Sequence, residues 1–128
     1  MQHFFSHLFA VSEELLNIDA LDDLRSVLGD EFFDLAQMFA RQLQVEVKAL
    51  LQCHERGDMP QLKRLAHSLK GASANMGALA LAQLANAIER AALAEDKATV
   101  DSLMPQLTAL ADQSLEAMRS AGYLVNEG

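Results

Sequence analysis

Tryptophan is absent from this chain, tyrosine and cysteine occur once each, and only two prolines and six glycines interrupt it. The lone cysteine, Cys53, excludes an internal disulfide framework and a thiolate metal site, and it reads as a small helix residue. So little punctuation predicts long elements. Aromatic residues at 5%, together with few β-branched residues, argue against a sandwich or barrel. Cations are scarce as well: 10 Lys and Arg stand against 18 Asp and Glu, a net charge of −8. That balance excludes nucleic acid as a general partner, because phosphate backbones need a basic footprint. No uninterrupted apolar run reaches about 18 residues, so no membrane span is expected. Residues 1–11 are apolar but lack the basic start of a secretory leader. These absences fit a cytoplasmic protein that docks other proteins.

What the chain has in quantity is Leu, Ala, Gln, Glu and Met, all good helix formers. Apolar residues make up 51% of 128, enough for one domain with its own core. Helical spacing marks the segments. A short amphipathic helix is expected over residues 2–10, with Phe4, Phe5, Leu8 and Phe9 packing on the bundle or on a second copy. Another covers 19–27, stopped by Gly29. A long helix follows over 31–56, with Asp30 as N-cap, a stripe of Phe32, Leu35, Phe39, Leu43, Val47 and Leu50, and Gly57 as its end. Asp58 caps the next, which runs to about 76 with Pro60 in its first turn. Gly77 separates it from a helix over 79–93 with Leu81, Leu84, Ala85, Ile88 and Ala92 on one face. A last helix is expected over 98–120, with Pro105 as a bend or a later start. Short connections make neighbours antiparallel. The expected fold is all-α: an up-down antiparallel four-helix bundle with additional short N-terminal helices. Residues 1–18 read as an N-terminal extension, 19–121 as the bundle and 122–128 as a tail.

The segment 58–76 breaks the pattern. Its inward face should be Leu62, Leu65, Ala66, Leu69, Ala72 and Met76. The opposite face carries Lys63, Arg64, His67, Lys70, Gly71 and Ala74. His67 therefore points outward among three cations in an acidic protein, and Gly71 sits mid-helix at a cost of about 1 kcal/mol relative to Ala. A neutral imidazole is a good nucleophile toward phosphorus, and nearby cations would stabilise the anionic group it receives. Gly71 would leave room for a partner. The plainer alternative is a solvated histidine on a basic stripe. Glu89 bears on that choice. His67 lies ten residues before Gly77 and Glu89 twelve after it, so in a helical hairpin the two fall at nearly the same height. A carboxylate there could take the Nδ1 proton, fix the tautomer and leave Nε2 free. Its alternative is an ordinary solvated glutamate.

The run Ala66-His67-Ser68-Leu69-Lys70-Gly71, then Ala72-Ser73-Ala74-Asn75-Met76-Gly77-Ala78, resembles the signature of the histidine-containing phosphotransfer (HPt) family: His-x-x-Lys-Gly, small residues, and a second Gly. Glu89 matches a position where that family often has Glu or Gln bonded to the histidine. The resemblance extends over about 19–120, including Phe32, Phe33 and Phe39, and leaves out the first 18 residues. It implies a helical bundle that accepts a phosphoryl group on His67 from a receiver-domain aspartate, often of a hybrid sensor kinase, and passes it to a response regulator. It implies Lys70 as the charge stabiliser, Glu89 as the orienting group, and Lys63, Arg64, Gly71 and Ala74 as the face that meets the receiver. It also implies a phosphocarrier without its own ATP-binding or catalytic domain and without a cofactor, the Mg²⁺ being the receiver's. A monomer is expected, with a dimer through the N-terminal helix as the alternative.

Other readings fare worse. A sensor-kinase dimerisation helix starts with His-Glu and places Pro five residues after the histidine, whereas here Pro60 lies six residues after His54, beyond Gly57. A carboxylate-bridged metal bundle needs two inward Glu-x-x-His pairs, and the sequence has none; no metal site is expected. P-loop, zincin and serine-nucleophile motifs are missing. The main rival is a helical interaction module that docks a receiver or sensor kinase without carrying phosphate.

Overall fold

The computed structural model describes residues 15–125, and the helix expected over 2–10 lies outside them. Six α-helices follow: α1 (Ile18–Leu28), α2 (Glu31–Arg56), α3 (Met59–Asn75), α4 (Leu79–Leu93), α5 (Lys97–Leu103) and α6 (Leu107–Ser120), with a 3₁₀ turn, Met104–Gln106, between the last two. The fold is an all-helical bundle. α3 packs most extensively on α4, α2 packs on α3, α4 packs on α6, and α6 returns to α2.

Most boundaries follow local chemistry. Asp58 accepts a hydrogen bond from the Gln61 N–H at 3.1 Å, so the first turn of α3 is satisfied despite Pro60. Gly57 ends α2 in the left-handed conformation, φ +69°. Two expectations are corrected. Asp30 does not cap α2 through its side chain; its backbone is already helical, and Gly29 and Asp30 carbonyls accept from Phe32 and Phe33 instead. The single helix over 98–120 is three pieces, because Pro105 lacks the N–H that a continuous helix needs and its ring crowds the preceding turn.

The core runs through Phe32, Leu43, Leu50, Leu62, Leu69, Leu81, Ile88, Leu107 and Met118, all almost fully buried. On α2 the stripe shifts from its expected line: Ala36 is fully buried and Leu35 is 39% exposed. On α3, Leu65 and Ala72 are only half-buried, and Ser73 takes a fully buried place. Small buried residues on both partners, Ala66 and Ser73 on α3 and Ala82 and Ala85 on α4, let these two helices approach closely. That approach sets the reach between their side chains.

The core also extends past α1 and α6. Leu15 and Leu16 are buried, as are Tyr123 and Leu124. Gly77, φ +66°, accepts a hydrogen bond from the Asn17 N–H at 2.8 Å. A Cβ on Gly77 would stand 3.1 Å from Leu21 Cγ and 3.3 Å from the Asn17 carbonyl oxygen. The turn thus needs glycine both for its conformation and for the contact with the start of α1. At the same end of the bundle Tyr123 packs edge-on against Phe32, 5.8 Å between centroids, and its hydroxyl donates to Asp22 Oδ1 at 2.6 Å.

Tyr123→Phe keeps this ring and deletes the bond, so stability should fall by about 1–2 kcal/mol. Burial, then Asp22, push the Tyr123 hydroxyl up to about 12 from 10.0. A raised tyrosine stabilises the fold fully below the unfolded value, and that contribution is lost as pH rises through the folded one. Urea midpoints between pH 9 and 12 should therefore fall more steeply in the native chain than in Tyr123→Phe. Equal slopes would remove the assignment.

Candidate functional site

His67 stands on the outer face of α3 with its side chain 67% exposed. Across the α3–α4 pair, its Nδ1 lies 2.7 Å from Glu89 Oε2. A proton on Nδ1 donates to that carboxylate, which leaves the Nε2 lone pair turned away from it. Glu89 is well covered, 18% exposed, and its other oxygen lies 2.8 Å from Lys70 Nζ. Lys70 also donates to Asn86 Oδ1 at 3.5 Å. One carboxylate thus holds both the imidazole and the ammonium group. The Lys70 hydrogen bond, and then His67, hold the Glu89 carboxyl below its usual range against the opposing effect of burial.

The other basic residues are placed differently. Arg64 turns back along α3, its guanidinium donating to Gln61 Oε1 at 2.9 and 2.6 Å. Lys63 is half-buried and borders a shallow pocket beside Ala92 and Leu93 of α4. The crowd of cations read around His67 is therefore spread out, and Lys70 alone of the three shares a partner with it. Gly71 and Ala74 are exposed. A Cβ on Gly71 would meet nothing within 4 Å. Nothing inside the described bundle requires glycine there, so its absent side chain leaves open surface one turn from His67.

Asn86 was not singled out from sequence, although it lies one turn before Glu89 on α4, which is the signal that could have found it. A second apolar stripe on α2 was also missed: Leu35 was expected in the core, and Met38 and Val45 were not singled out. These side chains are 39%, 63% and 61% exposed and stand three and seven residues apart, a spacing that marks one helix face.

His54 supplies an internal comparison. It too pairs with a carboxylate, Asp101, at 2.7 Å, and Asp101 pairs with Lys97 at 2.8 Å. The residue types repeat those of the His67 site, but the geometry is reversed. At His54 it is Nε2 that is bonded, and the side chain is only 28% exposed. The pair ties the end of α2 to α5. No group of three or more metal-ligating side chains occurs among the described residues, and no helix among them is long and apolar enough to cross a membrane.

The Hpt domain model matches residues 30–121, and the chain belongs to that family. No curated protein and no solved structure matches it significantly. Membership carries a role in phosphotransfer within two-component signalling, as a carrier rather than a catalytic enzyme, and interaction with receiver domains and response regulators.

Proposed function

We propose that this chain is a phosphorelay intermediate that takes a phosphoryl group on His67 from a receiver-domain aspartate, such as that of a hybrid sensor kinase, and delivers it to the aspartate of a response regulator in the cytoplasm. The observation that supports this best is the orientation of His67: Nδ1 is held by Glu89, the ring is exposed, and the space beside Gly71 is open.

In this reading Nε2 attacks the phosphorus of the partner's phosphoaspartate. The N–P bond forms as the P–O bond to the aspartate breaks, and the carboxylate leaves. Positive charge grows on the imidazole as the bond forms, and the Glu89 carboxylate, kept ionised by Lys70, stabilises it through the Nδ1–H bond. Lys70, one turn away, counters the charge of the transferred group. Mg²⁺ belongs to the receiver. Delivery is the reverse sequence on a second receiver. Gly71 and Ala74 give the partner clearance, and Lys63 and Arg64 flank it.

Incubation of the chain with a phosphorylated receiver and Mg²⁺ should move label onto it in an acid-labile, base-stable form. No label from a panel of active receivers would favour a docking module that carries no phosphate. Gly71→Ala sharpens the test. It should raise helix stability by up to about 1 kcal/mol, because the added methyl has room within the bundle. It should also slow transfer from the receiver by several-fold through a weaker complex. A variant that is more stable and equally fast would take Gly71 out of the docking face.

A further inference from the structure

α4 is rich in alanine and leucine, and Asn86 stands in its middle as a weak helix former. The residue is half-buried. Among the described residues its one hydrogen-bond partner is Lys70. Neither helix propensity nor core packing calls for asparagine there.

Lys70 reaches across from α3 and meets two acceptors on α4. Glu89 Oε1 is 2.8 Å from Nζ, and Asn86 Oδ1 is 3.5 Å from it. The short, charge-assisted contact supplies most of the holding. The long, neutral one adds little strength but sets a direction. An ammonium group carries three hydrogens, arranged tetrahedrally. With two of them taken by α4, the third points away from both acceptors. His67 is held in the same sense: its Nδ1 is committed to Glu89 on α4, which leaves Nε2 facing away from that carboxylate.

Charge gives a second reason for an amide. Glu89 already pairs with Lys70. A second carboxylate at position 86 would cancel more of the ammonium charge and repel an incoming anion. The Asn86 amide holds Lys70 without doing either.

We propose that Asn86 is a positioning residue, which holds the Lys70 ammonium so that its unshared hydrogen meets the phosphoryl group carried by His67. The assignment rests on the function proposed above, and Asn86 acts only through Lys70.

Substitutions in the full chain test it. Asn86→Ala should be at least as stable as the native chain in thermal unfolding, because Ala is the better helix former. It should nevertheless lower the maximal rate of transfer from a phosphorylated receiver several-fold and leave the half-saturating receiver concentration unchanged. Asn86→Asp should be slower still, although it keeps an oxygen within reach of Lys70. A merely structural role would give the opposite order. In a Lys70→Ala chain, Asn86→Ala should add no further loss. Without any receiver, the ¹³Cε order parameter of Lys70 should exceed that of the exposed Lys48 and fall toward it in Asn86→Ala. Native transfer rates in Asn86→Ala, faster transfer in Asn86→Asp than in Asn86→Ala, or a full further loss in the Lys70→Ala chain would each overturn the proposal. So would an unchanged Lys70 order parameter. A lowered order parameter in Asn86→Ala, with no label reaching the native chain from any active receiver, would uphold the anchoring of Lys70 and sink the phosphorelay reading.

Discussion

His67→Gln should abolish phosphoryl uptake and leave the bundle standing. An amide nitrogen has no available lone pair for attack on phosphorus, so the loss should be complete rather than graded. The replaced ring is 67% exposed and fills no place in the core, and the glutamine amide can still reach toward Glu89. Thermal stability should stay within about 0.5 kcal/mol of the native chain. Label transfer from a phosphorylated receiver, measured beside thermal unfolding, separates the two effects. His54 is retained in this variant and serves as a control. Its Nε2 is engaged by Asp101, whose carboxyl is itself held low, first by Lys97 and then by His54. Residual label at the native level would mean that another group carries the phosphate.

Glu89→Ala should have the next largest effect, a fall of about 10- to 100-fold in transfer rate, the scale that misplacing a reacting group by about 1 Å produces. Two contacts disappear together: the bond that fixes the His67 tautomer and the anchor of Lys70. Glu89→Gln keeps an acceptor for Nδ1–H and loses the charge, so it should fall between the two. The cost in stability is small, about 1 kcal/mol, because Lys70 is one-third exposed and can return to water. The pH dependence has a defined sign. A carboxyl whose folded pKa is lowered contributes fully above its unfolded value, near 4.5 here, and loses that contribution as pH falls through the lowered one. The Glu89 carboxyl ¹³C shift should therefore titrate with its midpoint below the ordinary glutamate value of 4.5. A transition above pH 5 would contradict the shared pairing with Lys70. Transfer at native speed in Glu89→Ala would remove its orienting role.

Much of this site was legible because helices convert sequence spacing into position. The interval from His67 to Gly77 and from Gly77 to Glu89 placed an imidazole and a carboxylate level on adjacent helices, and the two are bonded. Gly57, Asp58 and Gly77 act through their own backbone or side chain, so the adjoining boundaries could be read locally. Four features could not. Leu35 and Ala36 are neighbours, and side-chain size favours the leucine for the core; the crossing of α2 with its partners buries the alanine. Pro105 could bend a helix or delay its start, and only the packing of α5 and α6 against α4 decides. Arg64 lay within reach of both His67 and Gln61, and a long flexible side chain leaves that choice to geometry. The place of Asn86, one turn before Glu89, is visible in the spacing, but its bond to Lys70 depends on where that flexible side chain folds over α4.

The most direct test of the central claim is phosphorus–nitrogen correlation by NMR on ¹⁵N-labelled chain after transfer from a phosphorylated receiver. A single phosphorus resonance coupled to Nε2 of His67, with Nδ1 of the same ring still protonated, is the result expected here. Phosphorus on Nδ1 of His67, on His54, or on no histidine would contradict it.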